Sequence, residues 1–403
     1  MKRVLLNTLL GSCLLSTTAQ TVWAADYPTL AATLQATLPE QALLANTQQL
    51  QSAAQSYANQ TLPGEVTVKL NHENDALTDN KAKQTWEAGV EFPIWRSGQA
   101  HSQDALAQAY QNLFLAEQQQ LKLLTAQTLR DLVWQTQTAK IKAHFSQKAL
   151  EQTQALVEMV TQRVTQGENP KLDLLLAEKS LFAAQSDFAT ANFELEVALN
   201  TYQAKLNTQA LPDLLPEQQA PADLLEQHPQ RLKLQALIQI ETAKLAALKA
   251  NQQSNPSVYV GGKNEQSNQG VNDTFLIAQF NYPLQLDSLA GHQKVLQAEQ
   301  QSQLSRLQAE LRRFEQNHPL DLFRAQQAIF SAQTQQQLSE QQLTHAEKTL
   351  MLAKQSYFLG ETSIQNLLIS QQTVLEQKLA ARLAKTKTFM AIADFNQIAG
   401  VAF

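Results

Sequence analysis

Apolar positions along the chain follow two periods, and the places where one gives way to the other outline the molecule. Val66, Val68 and Leu70 alternate with Glu65, Thr67, Lys69 and Asn71, and Trp86, Ala88, Val90 and Phe92 alternate with Glu87, Gly89 and Glu91. A period of two with polar partners predicts strands with one apolar and one polar face. Val258 and Val260 begin a third strand that passes through Gly261-Gly262, and Leu276, Ala278, Phe280 and Tyr282 share one side of a fourth. The polar segments 75–83 and 267–273 between the members of each pair predict solvent-facing hairpin ends. Elsewhere the period is helical. Gly167 follows Gly98, and Gly360 follows Gly291, at an offset of 69 residues with almost no helix breaker between. Helices of that length measure about 100 Å. Leu150, Val157 and Val164 recur every seven residues, as do Leu343, Leu350 and Tyr357, and Leu174, Leu181, Phe188 and Leu195 beyond the first break. Heptad spacing predicts that the helices on either side of each glycine pair as antiparallel coiled coils. Pro319 interrupts the second long helix alone and predicts a kink there.

The landmarks are duplicated. Pro63 and Pro256, Gly98 and Gly291, and Gly167 and Gly360 share one offset of 193 residues, 360 − 167 for the last pair. Ala58-Asn59-Gln60 before the first proline returns as Ala250-Asn251-Gln252. Each half is predicted to run helix, two strands, long helix, glycine break, returning helix. The first repeat occupies 25–207, with its hairpin at about 64–95, long helix at 98–166 and return helix at 170–207. The second occupies 229–403, with hairpin at about 256–286, long helix at 291–359 and return helix at 361–399. The proline-containing segment 208–228 connects them.

The N-terminus adds a destination. Lys2 and Arg3 precede an apolar stretch from Val4 to Leu15 and a small-residue end at Ala24-Ala25. That order is a secretory signal peptide over 1–24, too short and too interrupted to span a membrane as a helix. Leu10-Gly11-Ser12-Cys13 faintly resembles a lipoprotein box; otherwise Cys13, the only cysteine, leaves with the signal peptide, and the mature chain has no thiol chemistry.

No later stretch approaches the roughly 20 apolar residues of a spanning helix, so any crossing must be made by strands. Four strands match outer-membrane strands in length, but the smallest such barrel has about 8. Edges left open in lipid would expose unpaired backbone groups, so other copies must seal them: two copies would give a filled barrel, three an open lumen. A net charge of −5 with no basic, aromatic-interleaved cluster gives no footprint for nucleic acid. The seven histidines are scattered, with no pair at metal-ligand spacing, and no phosphate loop or nucleophile elbow is present. Neither a catalytic site, a metal nor a cofactor is expected.

Taken in order, the Phe92-Pro93-Ile94 and Tyr282-Pro283-Leu284 strand ends, the glycines that follow them, and the segments Gln162-Arg163-Val164-Thr165-Gln166-Gly167 and Gln355-Ser356-Tyr357-Phe358-Leu359-Gly360 resemble the TolC-like outer-membrane factors. The resemblance covers essentially the whole mature chain. It implies a mainly α fold with a small β part: long antiparallel coiled coils forming an α-barrel tunnel, and four strands given to a shared 12-stranded barrel by a homotrimer. It implies a passive outer-membrane exit duct reaching into the periplasm, joined by a periplasmic adaptor to an inner-membrane transporter in a tripartite efflux pump. Length is similar to that of the heavy-metal subgroup, yet the cargo belongs to the pump behind the duct.

The same resemblance makes the glycine breaks periplasmic tips, with Val164, Gly167, Leu359, Gly360 and Glu361 as adaptor contacts. Glycine also simply terminates a helix, and both roles can hold at once. It further implies a periplasmic gate in which Tyr357 bonds Asp173 across neighbouring hairpins; Asn366 stands where the family has a second aspartate and Thr362 where members can carry an arginine, which weakens the ring of carboxylates that makes such entrances cation-selective. Against this, Tyr357 is also a heptad position and Asp173 a helix-start charge. Trp86, Phe92, Trp95 and Tyr282 are candidates for an aromatic girdle in outer-membrane lipid, or for packing in a soluble sheet. A periplasmic coiled-coil scaffold is the rival reading; it explains the heptads and leaves the hairpins unexplained.

Overall fold

The computed structural model describes residues 27–75, 83–212, 217–251, 254–266, 270, 272–284 and 291–402. The segment expected to be a signal peptide, Cys13, most of both expected hairpin ends, and the segment 285–290 lie outside them.

The chain is mainly helical with one small sheet. α1 (Tyr27–Thr37) and α2 (Glu40–Ala58) lead to strands β1 (Thr67–Asn74) and β2 (Gln84–Pro93), then to α3 (Gln99–Thr165) and α4 (Lys171–Leu206). Beyond the connector come α5 (Pro229–Ala250), strands β3 (Ser257–Gln266) and β4 (Asn272–Asn281), α6 (Gly291–Phe358) and α7 (Ile364–Ile398). Where the pattern predicts one helix before the first strand, there are two. Pro39, which has no N–H to give, separates them at the N-cap of α2. The two long helices have 67 and 68 residues, and α6 runs on through Pro319. Loss of one backbone bond there is offset by packing of Leu322, Ala325 and Ile329 just beyond it.

The ends of the helices have identifiable stops and starts. Gly167 and Gly360 are left-handed, at φ 79° and 76°, and each closes a doubly bonded turn. The N–H of Gly167 donates to Val164 O (3.1 Å) and that of Glu168 to Arg163 O (2.9 Å); Gly360 to Tyr357 O and Glu361 to Ser356 O repeat the pair at the same distances. α5 begins with Pro229 in its first turn, and its N-cap is His228, whose Nδ1 accepts from Gln230 N–H.

All four strands form one antiparallel sheet in the order β1-β2-β3-β4. β1 and β4 therefore each have one edge unpaired within the chain.

Three core clusters are strung along α3, and a fourth joins α6 to α7. Near its start, Ala109 and Leu113 pack against Ala236 and Ile240 of α5. At its middle, Leu129 and Val133, both 0% exposed, pack with Leu30 and Leu34 of α1 and with Tyr202 and Leu206 of α4. Near its end, Leu156 and Val160 meet Ala177 of α4, Tyr357 of α6, and Ile364 and Leu367 of α7. Around the middle cluster, buried Arg130 grips the connector: Nε and Nη2 hold both carboxylate oxygens of Glu217 at 2.8 and 2.7 Å, and Nη1 donates to Gln397. Asn396 completes the clasp through Glu217, Gln218 O and Ala220 N–H.

Candidate functional site

Register settles which side chains share a face of the sheet. Val68, Val90, Val260 and Ala278 lie in one cross-strand row, and Leu70, Ala88, Gly262 and Leu276 in the next. This face is apolar, and it is bare: Val68 is 76% exposed and Leu276 85%. The opposite face carries Thr67, Glu91, Tyr259 and Gln279 in one row, Lys69, Gly89, Gly261 and Ile277 in the next, and Asn71, Glu87, Lys263 and Phe275 in the third. Its charges are paired, Lys69 with Glu91 and Lys263 with Glu265. Gly89 and Gly261 stand opposite each other on this polar face, under the ring of Tyr259. A Cβ on either would come within 2.6 Å of that side chain, so both positions must stay bare for Tyr259 to lie flat, only 2% exposed, on the sheet.

The four aromatic candidates fall into two tiers. Trp86 stacks on His72 at 4.1 Å toward the hairpin end. Phe92 is six residues further along β2, about 20 Å away. Near it stand Tyr282, with the Arg96 guanidinium 5.0 Å from its ring centroid, and Trp95. The Trp95 indole N–H donates to Gln60 O and Thr61 O (3.3 and 3.1 Å), and the ring meets Tyr57 edge-on at 6.0 Å. Trp95 thus pins the entry to β1 to the exit from β2.

At the far end of the coiled coils, the two glycine turns lie side by side because Tyr357 bridges them. It is 4% exposed, packed into the cluster of Leu156, Val160, Ala177, Ile364 and Leu367. Its heptad position is therefore a true core position. Its hydroxyl accepts from Asn169 Nδ2 at 2.9 Å, and the same amide donates to Asp173 Oδ2 at 2.7 Å. Tyr357 and Asp173 are linked through Asn169 rather than directly. The Arg163 guanidinium sits 5.1 Å from the Tyr357 ring centroid while its Nε donates to Glu168 at 3.1 Å. Asn366 is not part of this linkage: it is exposed and its amide donates to Thr362 Oγ1 at 2.9 Å. Of the tip residues, Val164 is half-buried beside the cluster, while Gly167, Gly360, Glu361 and Leu359, 66% exposed, face outward.

Sequence reasoning passed over Asn169, Arg163, Tyr259 and Arg130. Asn169-Pro170 reads as a turn, and only the spatial meeting of the two tips gives its amide a second acceptor. Tyr259 had a signal, an aromatic residue two before Gly261 in a strand.

Among the described residues no helix is long and apolar enough to cross a membrane. No protein-family model and no curated protein sequence matches the chain. Solved structures do. The outer membrane protein VceC of Vibrio cholerae superposes with a TM-score of 0.71 at 12% identity, over 93% of this chain and 96% of that one. The CmeC outer membrane channel of Campylobacter jejuni gives 0.69 at 12% identity, over 93% and 85%. The open state of the MtrE outer membrane channel of Neisseria gonorrhoeae gives 0.61 at 14%, over 93% and 88%. At such identities the likeness is one of backbone path over nearly the full length of both partners, and the chain has the TolC-like fold of the outer-membrane channels.

Proposed function

We propose that this protein is the outer-membrane duct of a tripartite efflux pump: a homotrimer that carries cargo passively across the periplasm and outer membrane and is docked by a periplasmic adaptor at its tips. One observation supports this above the rest. The sheet is apolar and exposed on one face, mostly polar with two ion pairs on the other, and unfinished at both edges. In water an apolar face of that extent is a liability, and its open edges invite pairing. In a bilayer the same face is satisfied by lipid, and the edges by the next copies. Three chains supply 12 strands and an open lumen lined by the polar face.

The helices support the same closure. α3 packs against α2, α4, α5 and α7, and α6 against α5 and α7, so α2 and α4 form one lateral side of the chain and α6 the other. Both sides expose apolar residues, Leu43, Leu175, Phe182 and Phe193 on the first and Phe323, Phe330 and Met351 on the second. These two surfaces differ, so they can meet only head to tail, and such a contact ends in a ring when its rotation closes. A periplasmic scaffold has use for the coiled coils but none for the bare sheet face.

On this reading Trp86 at one end of the sheet and Phe92, Trp95 and Tyr282 at the other mark the two lipid boundaries. Val164, Gly167, Leu359, Gly360 and Glu361 form the docking surface, and Tyr357 and Asp173 belong to the gate. Reconstituted into planar lipid bilayers, the protein should conduct ions in discrete steps. Failure to conduct under any opening condition, with the protein in the bilayer, would remove the duct reading.

A further inference from the structure

The tips of the two coiled coils come from different halves of the sequence, and what holds them together is more specific than apolar packing. An asparagine amide has two N–H donors. In Asn169 one is given to Asp173, four residues away on the same tip, and the other to the hydroxyl of Tyr357, 188 residues away on the other tip. Both donors are spent, and the second link crosses between the hairpins. Pro170 fixes the backbone immediately after Asn169, and the Asn169 side chain does not cap α4, so it is free to reach across. On the other side of the ring Arg163 covers the face of Tyr357 and is itself held by Glu168. The charged groups next to the linkage are thus Asp173, Arg163 and Glu168.

We propose that Asn169 is the positioning residue of the gate: its amide joins Tyr357 to Asp173 within a single chain, so that the two tips of each chain stay together until this amide lets go. This rests on the reading of the tips as a gate. It assigns the closing contact to a neutral donor on the first tip. With one hydrogen bond lost to water, the open population should rise about fivefold.

The test is single-channel conductance of the purified full-length assembly in planar bilayers, comparing wild type, Asn169→Ala, Asn169→Asp and Tyr357→Phe, which keeps the buried ring and removes only the hydroxyl. Asn169→Ala should increase open time about as much as Tyr357→Phe. Asn169→Asp places a carboxylate against Asp173, and two carboxylates at that distance resist joint ionisation. Its open time relative to wild type should rise with pH across about 5 to 7. A merely structural asparagine would give no such profile. If Tyr357→Phe opens the channel while Asn169→Ala and Asn169→Asp behave as wild type, the assignment of Asn169 is overturned and the gate reading stands. If none of the three differs from wild type, the gate reading itself is overturned.

Discussion

The middle of the molecule and its sheet are built from the same kinds of residue to opposite effect. Around the middle of α3, Leu129, Val133 and Tyr202 are fully enclosed, and a buried arginine is matched by Glu217, Gln397 and the C-terminal turn. In the sheet, valines and leucines stand bare on one face and two strand edges carry no partner within the chain. On the proposed function, the difference separates what one chain completes for itself from what it leaves to other copies and to lipid. A substitution in the middle should register in the stability of the single chain; one in the sheet or at the tip glycines should register chiefly in the assembly.

The largest effect is expected at Arg130. Arg130→Ala would leave Glu217 without its partner and release the connector, costing about 3–5 kcal/mol. Chemical denaturation of the detergent-solubilised protein should show the midpoint fall accordingly; a loss under 1 kcal/mol would mean that the clasp does not hold the two halves together.

Acid should weaken the same region. Burial, reinforced by the neighbouring His318, holds the His228 imidazole neutral down to about 4. An unfolded chain takes up that proton at the ordinary histidine value, so the contribution is complete above about 6.5 and is lost as the pH falls toward 4, by about 3 kcal/mol. His318 is also lowered by burial and acts with the same sign. Asp394, raised by burial and by the nearby Asp131, acts with the opposite sign, so comparison with His228→Gln isolates the imidazole. A stability profile over this window that is the same in wild type and His228→Gln would contradict the assignment.

On the sheet, Leu276→Arg should leave the helices intact by circular dichroism and penalise membrane insertion by about 2–4 kcal/mol for each chain. Normal yield in the outer membrane would place that face away from lipid. The smallest effect on the chain itself is at the tips. Gly360→Trp forces a left-handed φ of 76° on a side chain, about 1–2 kcal/mol, with no atom within 4 Å of the new Cβ. Efflux should be abolished while the trimer still assembles; retained efflux would remove the docking role.

Much of the fold could be read from the sequence because its two periods are long and clean. The strand alternation from Val66 to Phe92 assigned faces that the register keeps, and heptad positions such as Val157, Leu174 and Leu350 turn inward. The break at Pro39, between two segments with the same helical composition, was not legible as a division into α1 and α2. The site was less legible than the fold. Periodicity marks which side of a helix is buried, and so found Tyr357. It does not tell which polar group from the other hairpin arrives above that tyrosine, and it is Asn169 that arrives. Arg130 was hidden for the same reason, since its partners lie 87 and 267 residues away.

The most direct test of the account is the location and oligomeric mass of the mature protein, by outer-membrane fractionation followed by mass measurement in detergent. A protein that stays in the outer membrane and emerges as a trimer is the result expected from a sheet with two open edges and one apolar face. A water-soluble monomer or dimer would contradict the shared barrel, and with it the duct.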